Sequence, residues 1–506
     1  MSTTTFDTAK PKNSKKVSLL SAVALCATAM VGSGWLFSAQ LNAQLAGNYA
    51  FLAWLLAGGL VMAVGLCLSQ VVAVYPVRGA TTRASALSHN PIFGMPFAFA
   101  NWFGLAITVP TEAQATTQYL AAALKNSNLM TDNKLTIYGK LLALAILFIY
   151  LLINYYGIKA LSKINNVITV LKIFAPLFTI VIFLIAHFDN TNFSLATNSV
   201  YSVASAITAI VSAGLIYSYN GFQLSVSFAS EIDNPRRNVP LSIIISILLV
   251  MGIYLLLQLA FMGAVPHALL SDGWTSLNFH SPLINIAMLL GMNFLTVLLL
   301  ADSIISPSGT GYAYLGGSSR MFYAMAIEGQ MPSWTITRLH PIYNLCRRSL
   351  LINWALASLV LWNSDSWAAL MVVVTGFHLI GYMAAPISMG AIKPTSRIWG
   401  AGVFALLGLL MSTVPTGDLW AMNLAMSGLM LVYAGLQWHK KLAIHTLLSF
   451  TTPVIIYLWA IYWFAQPLEV VSLSLVFYWL VTNPNYVALC NQYKSANAAF
   501  ASYGGE

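Results

Sequence analysis

Four ionisable side chains sit within long apolar stretches of this sequence: Glu112, Lys172, Asp302 and His378. A charge in hydrocarbon costs a few kcal/mol on insertion scales, so groups in such places handle ions, protons or charged ligands. Two uncharged interruptions break the same apolar pattern, Val31-Gly32-Ser33-Gly34-Trp35 and Tyr217-Ser218-Tyr219-Asn220-Gly221-Phe222. Small residues of this kind let helices pack closely. They also let a helix unwind. The half-helix that follows an unwound point presents free N–H groups and a positive dipole end to a carboxylate, while freed carbonyls can hold an ammonium. The chemistry on offer is therefore reversible binding of small charged ligands beside proton-carrying groups.

The elements that must position these residues are membrane helices. Of 506 residues, 58% are hydrophobic and 7% charged, with a mean hydropathy of +0.76. Soluble domains carry roughly a quarter charged residues, so a water-soluble fold is excluded. The net charge of +10 would suggest nucleic acid in a soluble protein; here the placement of the charges points to the bilayer, and no nucleic-acid partner is expected. Runs of the ~20 apolar residues that span a membrane predict helices over 18–44, 49–75, 95–123, 138–158, 164–187, 200–228, 241–264, 284–315, 349–362, 366–390, 398–414, 418–437, 444–465 and 468–483, fourteen in all. Ala27-Thr28-Ala29 looks like a signal-peptidase site, but the apolar run continues past it, so no cleavage is expected. With the N-terminal Lys10, Lys12, Lys15 and Lys16 in the cytoplasm, nineteen of the 23 Lys and Arg fall on that side. Only Lys125, Lys134 and Lys140 fall on the other, and Lys172 lies within a helix. The positive-inside rule is satisfied, which predicts a multi-pass protein of the plasma (inner) membrane with both termini cytoplasmic. Cys26 and Cys67 lie in apolar segments and Cys346 and Cys490 on the cytoplasmic side, a pattern with no disulfide framework.

The two interruptions lie five helices apart, and an odd offset makes helices 1 to 5 and 6 to 10 run in opposite directions. Broken helices at matching positions of an inverted repeat point to a substrate site. The predicted organisation is a basic tail (1–17), a first five-helix repeat (18–187), its inverted counterpart (200–390), helices 11 and 12 (398–437), helices 13 and 14 (444–483) and a cytoplasmic tail (484–506).

Three motifs make this pattern specific: Gly32-Ser33-Gly34, the stretch Glu231-Ile232-Asp233-Asn234-Pro235-Arg236-Arg237-Asn238-Val239-Pro240, and the run from Ser319-Arg320-Met321-Phe322 to Gly329-Gln330-Met331-Pro332. Together with the helix count they resemble the amino acid/polyamine/organocation (APC) permeases over at least residues 18–437. The resemblance implies an all-α, leucine-transporter-like fold with a 5+5 inverted repeat, alternating access, and a free amino acid held at the breaks of helices 1 and 6. It places Met30, Ser33 and Gly34 on the substrate carboxylate, and Tyr217 and Asn220, with carbonyls near Ser218, on the amino group or over the substrate. Several members carry Glu two residues after the helix 6 glycine; Gln223 stands there in this chain, so proton handling is not carried over at that point. Fourteen helices match cationic amino acid transporters of the family, and the extra pair at 444–483 is expected to be peripheral.

Lys172 lies nine residues beyond Lys163 in Val170-Leu171-Lys172-Ile173-Phe174-Ala175-Pro176, about 13 Å into the membrane at helical rise. Proton-coupled members resemble this segment, their lysine ammonium replacing the sodium ion of relatives; the alternative is a permanent charge pinning helix 5 to carbonyls of helix 1 and to hydroxyls such as Ser308 or Thr310. Glu112 follows Pro110 in Val109-Pro110-Thr111-Glu112-Ala113, near the helix 3 position that touches substrate side chains in related permeases. There it would bind a cationic side chain, or take a proton and so tolerate an acidic substrate, as in the aspartate/proton symporters that Trp35 and this stretch resemble. A buried acid satisfied by Lys172 or a tyrosine is the structural alternative. Asp302, about two turns from Ser308, is an accessory candidate, and His378 either titrates near neutral pH or is hydrogen-bonded within the bundle.

The leading function is secondary transport of free amino acids, with protons as the coupling ion; an exchanger of an amino acid for its decarboxylation product shares these features. An enzyme is not expected, because no HExxH, paired metal ligands or GxSxG elbow occurs, and no GxxxxGK loop supports ATP drive. A sensor would need a sizeable soluble domain, which is lacking. No cofactor or metal is expected.

Overall fold

The computed structural model describes residues 16–76, 80–124, 128–131, 134–156, 160–195, 200–229, 231–327, 330–331, 346–364, 366–439, 444–464 and 466–503. The tail to residue 15, the loop cations Arg78, Lys125, Lys159, Arg338, Lys440 and Lys441, and Glu328, Gly329 and Pro332 of the third motif lie outside the described residues.

Helices dominate, in chain order α1a (Leu19–Met30), α1b (Gly34–Ala46), α2 (Ala50–Val74), α3 (Pro91–Ala123), α4 (Ile137–Tyr156), α5 (Ala160–Ala186), α6a (Val203–Ser212) and α6b (Leu224–Ser227). They continue as α7 (Pro235–Ala264), α8 (Asn293–Ile327), α9 (Arg347–Trp362), α10 (Trp367–Ile392), α11 (Arg397–Met411), α12 (Thr416–His439), α13 (Ile444–Trp463) and α14 (Pro467–Val481). Among the described residues, seven stretches are long and apolar enough to cross a bilayer by length and composition, α3, α4, α7, α8 and α10 among them. Shorter apolar helices include α1a and α6a, because each belongs to a span that breaks.

The first break falls where glycines stand. α1a stops at Met30, Val31 leaves helical geometry (φ −86°, ψ 83°), and α1b restarts after Ser33. The second is longer than the sequence suggests. It opens at Gly214, whose φ of +73° is left-handed, allows one helical turn over Leu215–Ser218, and unwinds until Gln223. A leucine-transporter-like 5+5 core with broken helices 1 and 6 results.

Helix 8 differs from its expected range of 284–315. Pro282–Leu289 is a separate short helix, turned off by Gly291 at φ +69°, and α8 runs from Asn293 to Ile327. Gly316-Gly317-Ser318-Ser319 reads as a helix end in sequence, yet it stays helical, and at Gly316 the missing side chain leaves room for Asn154 of α4, whose Oδ1 would stand 2.6 Å from a β-carbon. α3 and α10 are the most enclosed of the long apolar stretches, with 89% and 83% of their most apolar windows buried against 33% for α4. Glu112 and His378 ride on these two. On the side where α1a begins, Val17 pairs with Ile232 as a parallel bridge (Val17 N to Glu231 O 2.9 Å, Asp233 N to Val17 O 3.0 Å), so the second motif straps the start of α1a to the loop after α6b.

Candidate functional site

The two breaks touch. Gly221, at φ +126°, brings the helix 6 loop so close to α1a that a β-carbon there would stand 2.7 Å from the carbonyl carbon of Ala29. Tyr254 of α7 ties them: its hydroxyl is 2.9 Å from the carbonyl of Met30 and 2.9 Å from that of Ser218, both freed by unwinding. Tyr314 of α8 reaches the carbonyls of Ala29 and Asn220, each at 3.4 Å.

Glu112 projects from α3 into this junction. The Ser33 backbone N–H, at the mouth of α1b, donates to its Oε2 at 3.0 Å, and the Tyr217 hydroxyl donates to its Oε1 at 2.6 Å. A carboxylate thus lies at the positive end of a half-helix. Ser33 Oγ is 3.1 Å from the Tyr217 hydroxyl and accepts from Trp367 Nε1 at 3.0 Å. Trp367, at the start of α10, stacks on Phe37 of α1b (4.4 Å) and meets the Tyr217 ring edge-on (5.7 Å), forming an aromatic cover.

Lys172 of α5 comes in from another side. Its Nζ donates to Thr310 Oγ1 of α8 at 2.6 Å and to the carbonyl of Thr28 in α1a at 3.4 Å. An ammonium so placed links three elements: α5, α8 and the half of helix 1 ahead of its break. Asn220 supplies an open donor. Its Oδ1 accepts from Gln223 Nε2 at 2.7 Å while Gln223 Oε1 accepts from the Gly221 N–H, which leaves Asn220 Nδ2 buried with no hydrogen-bond partner among the described residues. The cavity bounded by Met30, Gly34, Thr108, Glu112, Asn220 and Thr310 has a volume of about 10 Å³, room for about one water.

The structure brings Met30, Ser33, Gly34, Glu112, Tyr217, Asn220 and Thr310 together around this cavity or in direct contact with it. Ser218 turns its hydroxyl to Ser38 (3.0 Å) and offers the junction its carbonyl. Ser308 belongs elsewhere: its hydroxyl accepts from Tyr150 of α4 at 3.2 Å, and Thr310 is the hydroxyl that meets Lys172. His378 lies against Gly104 and stacks on Tyr382 (5.7 Å). Gly104 precedes Glu112 by eight residues on α3, about 12 Å along a helix, so His378 is not at the cavity. Asp302 is fully buried, and neither carboxylate oxygen has a hydrogen-bond partner among the described residues. Sequence reading missed Tyr254, Tyr314 and Trp367. A hydroxyl within the apolar run of α7, one turn before Gln258, was the available signal for the first; the others look like ordinary membrane aromatics.

Residues 17–414 match the family described as "Amino acid permease". The chain belongs to this family. It is 33% identical over 401 residues to a glutamate/serine transporter, AimA, of Bacillus subtilis, covering 76% of this chain and 74% of the relative. An aspartate-proton symporter of the same organism is 31% identical over 385 residues, with 76% and 74% covered. A chloroplastic cationic amino acid transporter 9 of Arabidopsis thaliana is 26% identical over 343 residues, with 65% and 58% covered. The chain is thus an APC permease, a multi-pass membrane transporter of amino acids rather than an enzyme, and the junction of the two breaks is its candidate site.

Proposed function

We propose that this permease is a proton-coupled symporter of small and acidic free amino acids, working by alternating access in the plasma membrane with both termini cytoplasmic. The observation that carries the reading is Lys172, whose ammonium links Thr28 of α1a to Thr310 of α8. A proton carried there changes how strongly α1a is held to its neighbours, and a ligand shifts a conformational balance only through such differential contacts. Substrate backbone groups are assigned to Ser33, Gly34, Asn220 and the carbonyls of Met30 and Ser218; Glu112 faces the same cavity. The substrate class is carried from the glutamate/serine transporter and the aspartate-proton symporter.

The test is uptake of L-serine, L-aspartate and L-glutamate into proteoliposomes with and without an imposed pH gradient. Accumulation above equilibrium that collapses with a protonophore is the expected result. Counterflow from preloaded vesicles with no gradient-driven accumulation would instead make it an exchanger.

A further inference from the structure

The Glu112 carboxylate stands at the one feature of the cavity best suited to a substrate carboxylate. It accepts the Ser33 N–H at 3.0 Å at the start of α1b, and the Tyr217 hydroxyl holds its other oxygen at 2.6 Å. A β-carbon on the neighbouring Gly32 would come 2.9 Å from Glu112 Oε1 and one on Gly34 3.1 Å from Ser218 Cα, so backbone and carboxylate are closely fitted here. With Glu112 so placed the cavity is about 10 Å³. An amino acid does not fit until Glu112 yields those donors.

From this geometry we infer that Glu112 is a tethered stand-in for the substrate's carboxylate, and that exchange of one carboxylate for the other captures a proton. The inference rests on the symporter reading and specifies its coupling step. The incoming carboxylate takes the Ser33 N–H. Glu112 then faces a second negative charge with its donor gone, and two carboxylates sharing such a site do not both stay ionised. Glu112 takes one proton from the bulk and becomes a neutral acid, able to donate its O–H to the new carboxylate or to a freed carbonyl. No covalent bond other than O–H forms, and the charge brought by the substrate carboxylate is balanced. Lys172 faces this step from α5 and is held by Thr310 and Thr28; Asp302 on α8, the hydroxyls of Tyr150 on α4, Tyr217, Tyr254 and Tyr314, and the Cys26 thiol on α1a are further ionisable groups around the junction. Among these, Glu112 shares its donors with the substrate's carboxylate subsite.

The experiment is proton uptake by the purified full-length protein in weakly buffered detergent, followed with a pH-indicator dye while L-serine is added, and repeated with L-aspartate and L-glutamate. Wild type is expected to take up about one proton per ligand bound, with affinity falling about tenfold per pH unit where uptake is complete. Glu112→Gln, whose amide oxygen can still accept the Tyr217 hydroxyl and whose side chain cannot take up a proton, is expected to bind with no uptake and a flat pH profile. Ethanolamine, which is serine without its carboxylate, is expected to release no such uptake from either protein. Proton-silent binding of the amino acids to wild type overturns the inference even if Glu112→Gln fails to fold, and equal uptake by the variant overturns it as well. Proton-silent binding together with intact pH-driven accumulation leaves the symporter reading standing; no binding and no accumulation removes both.

Discussion

Gly34 of α1b packs face to face with Ser218 of the helix 6 turn, and a β-carbon on Gly34 would stand 3.1 Å from Ser218 Cα and closer still to its hydroxyl. The nearest atom is the Ser218 hydroxyl, itself hydrogen-bonded to Ser38 and to the Gly214 carbonyl, and behind it stand the Ser218 Cβ and the backbone Cα, which cannot rotate away. Overpacking of this kind costs about 1–3 kcal/mol. Gly221 is the more constrained, since a side chain there would strain a φ of +126° and meet backbone, Met30 N at 2.8 Å. Gly34→Ala and Gly221→Ala are therefore expected to lose substrate binding, with Gly221→Ala also lowering the unfolding temperature. Gly59→Ala, with nothing within 4 Å, is the control. Wild-type affinity in Gly34→Ala, measured by ligand-induced thermal shift, would sink the placement of the site at the touching breaks.

Tyr254 is expected to matter more than an aromatic in an apolar helix ordinarily does. Its single hydroxyl proton serves two carbonyls, those of Met30 and Ser218, in a buried place. The Met30 carbonyl also accepts the Gly32 N–H at 3.1 Å, so the loss falls chiefly on the Ser218 carbonyl, and leaving such a buried group unpaired costs about 1–3 kcal/mol. Tyr254→Phe should lose stability in that range and transport more slowly, as read by thermal unfolding and initial uptake rates. A variant as stable and as fast as wild type would show that the breaks hold each other without this tie.

How much of this was legible beforehand follows from the range of each interaction. Breaks encoded by glycines, and charges set in apolar runs, are local signals; Gly32-Ser33-Gly34, Glu112 and Lys172 were found that way, and the motif at Glu231–Pro240 supplied the family. The partners were not legible. Tyr254 reaches Met30 across 224 residues and Trp367 reaches Ser33 across 334; a hydroxyl one turn before Gln258 marks Tyr254 as polar within an apolar run but not what it reaches, and nothing near Trp367 distinguishes a tryptophan facing lipid from one closing a site. Gly214 gives no signal because one glycine in an apolar run carries no sign of the φ that it will take, and sequence offers Ser308 and Thr310 alike as hydroxyls for Lys172, since two positions along a helix do not say which of them faces α5.

The aromatic cover supplies a third prediction. Trp367 stacks on Phe37, meets Tyr217 and donates to Ser33 Oγ. Removing it frees three contacts at once on the side of the cavity away from the start of α1a. Trp367→Ala in a Ser33→Cys background should raise labelling by a membrane-impermeant thiol reagent applied from that side, at least severalfold over Ser33→Cys alone. The native cysteines Cys26, Cys67, Cys346 and Cys490 are buried and give the baseline. Equal labelling of the two proteins would mean that Trp367 does not close the path.

Lys172 carries the last prediction. Its ammonium reaches Thr310 at 2.6 Å and the Thr28 carbonyl at 3.4 Å, and ion–dipole contacts shielded from water are stronger than the same contacts in solvent. In the proposed symport, loss of the proton weakens this hold on α1a and frees the half-helix to swing against α5 and α8. Two variants separate charge from packing. Lys172→Met keeps most of the volume and removes the charge; Thr310→Val keeps the lysine and removes its nearest acceptor. Lys172→Met is expected to bind substrate and support counterflow while losing gradient-driven accumulation, because a fixed neutral side chain has no proton to exchange. Thr310→Val keeps a titrating amine but loses one partner, so it should accumulate substrate with a displaced pH profile. Proteoliposome uptake over a series of internal and external pH values reads both. If Lys172→Met concentrates substrate to the wild-type level under a pH gradient, the lysine is a structural pin, and the coupling proton must be carried by Glu112 alone.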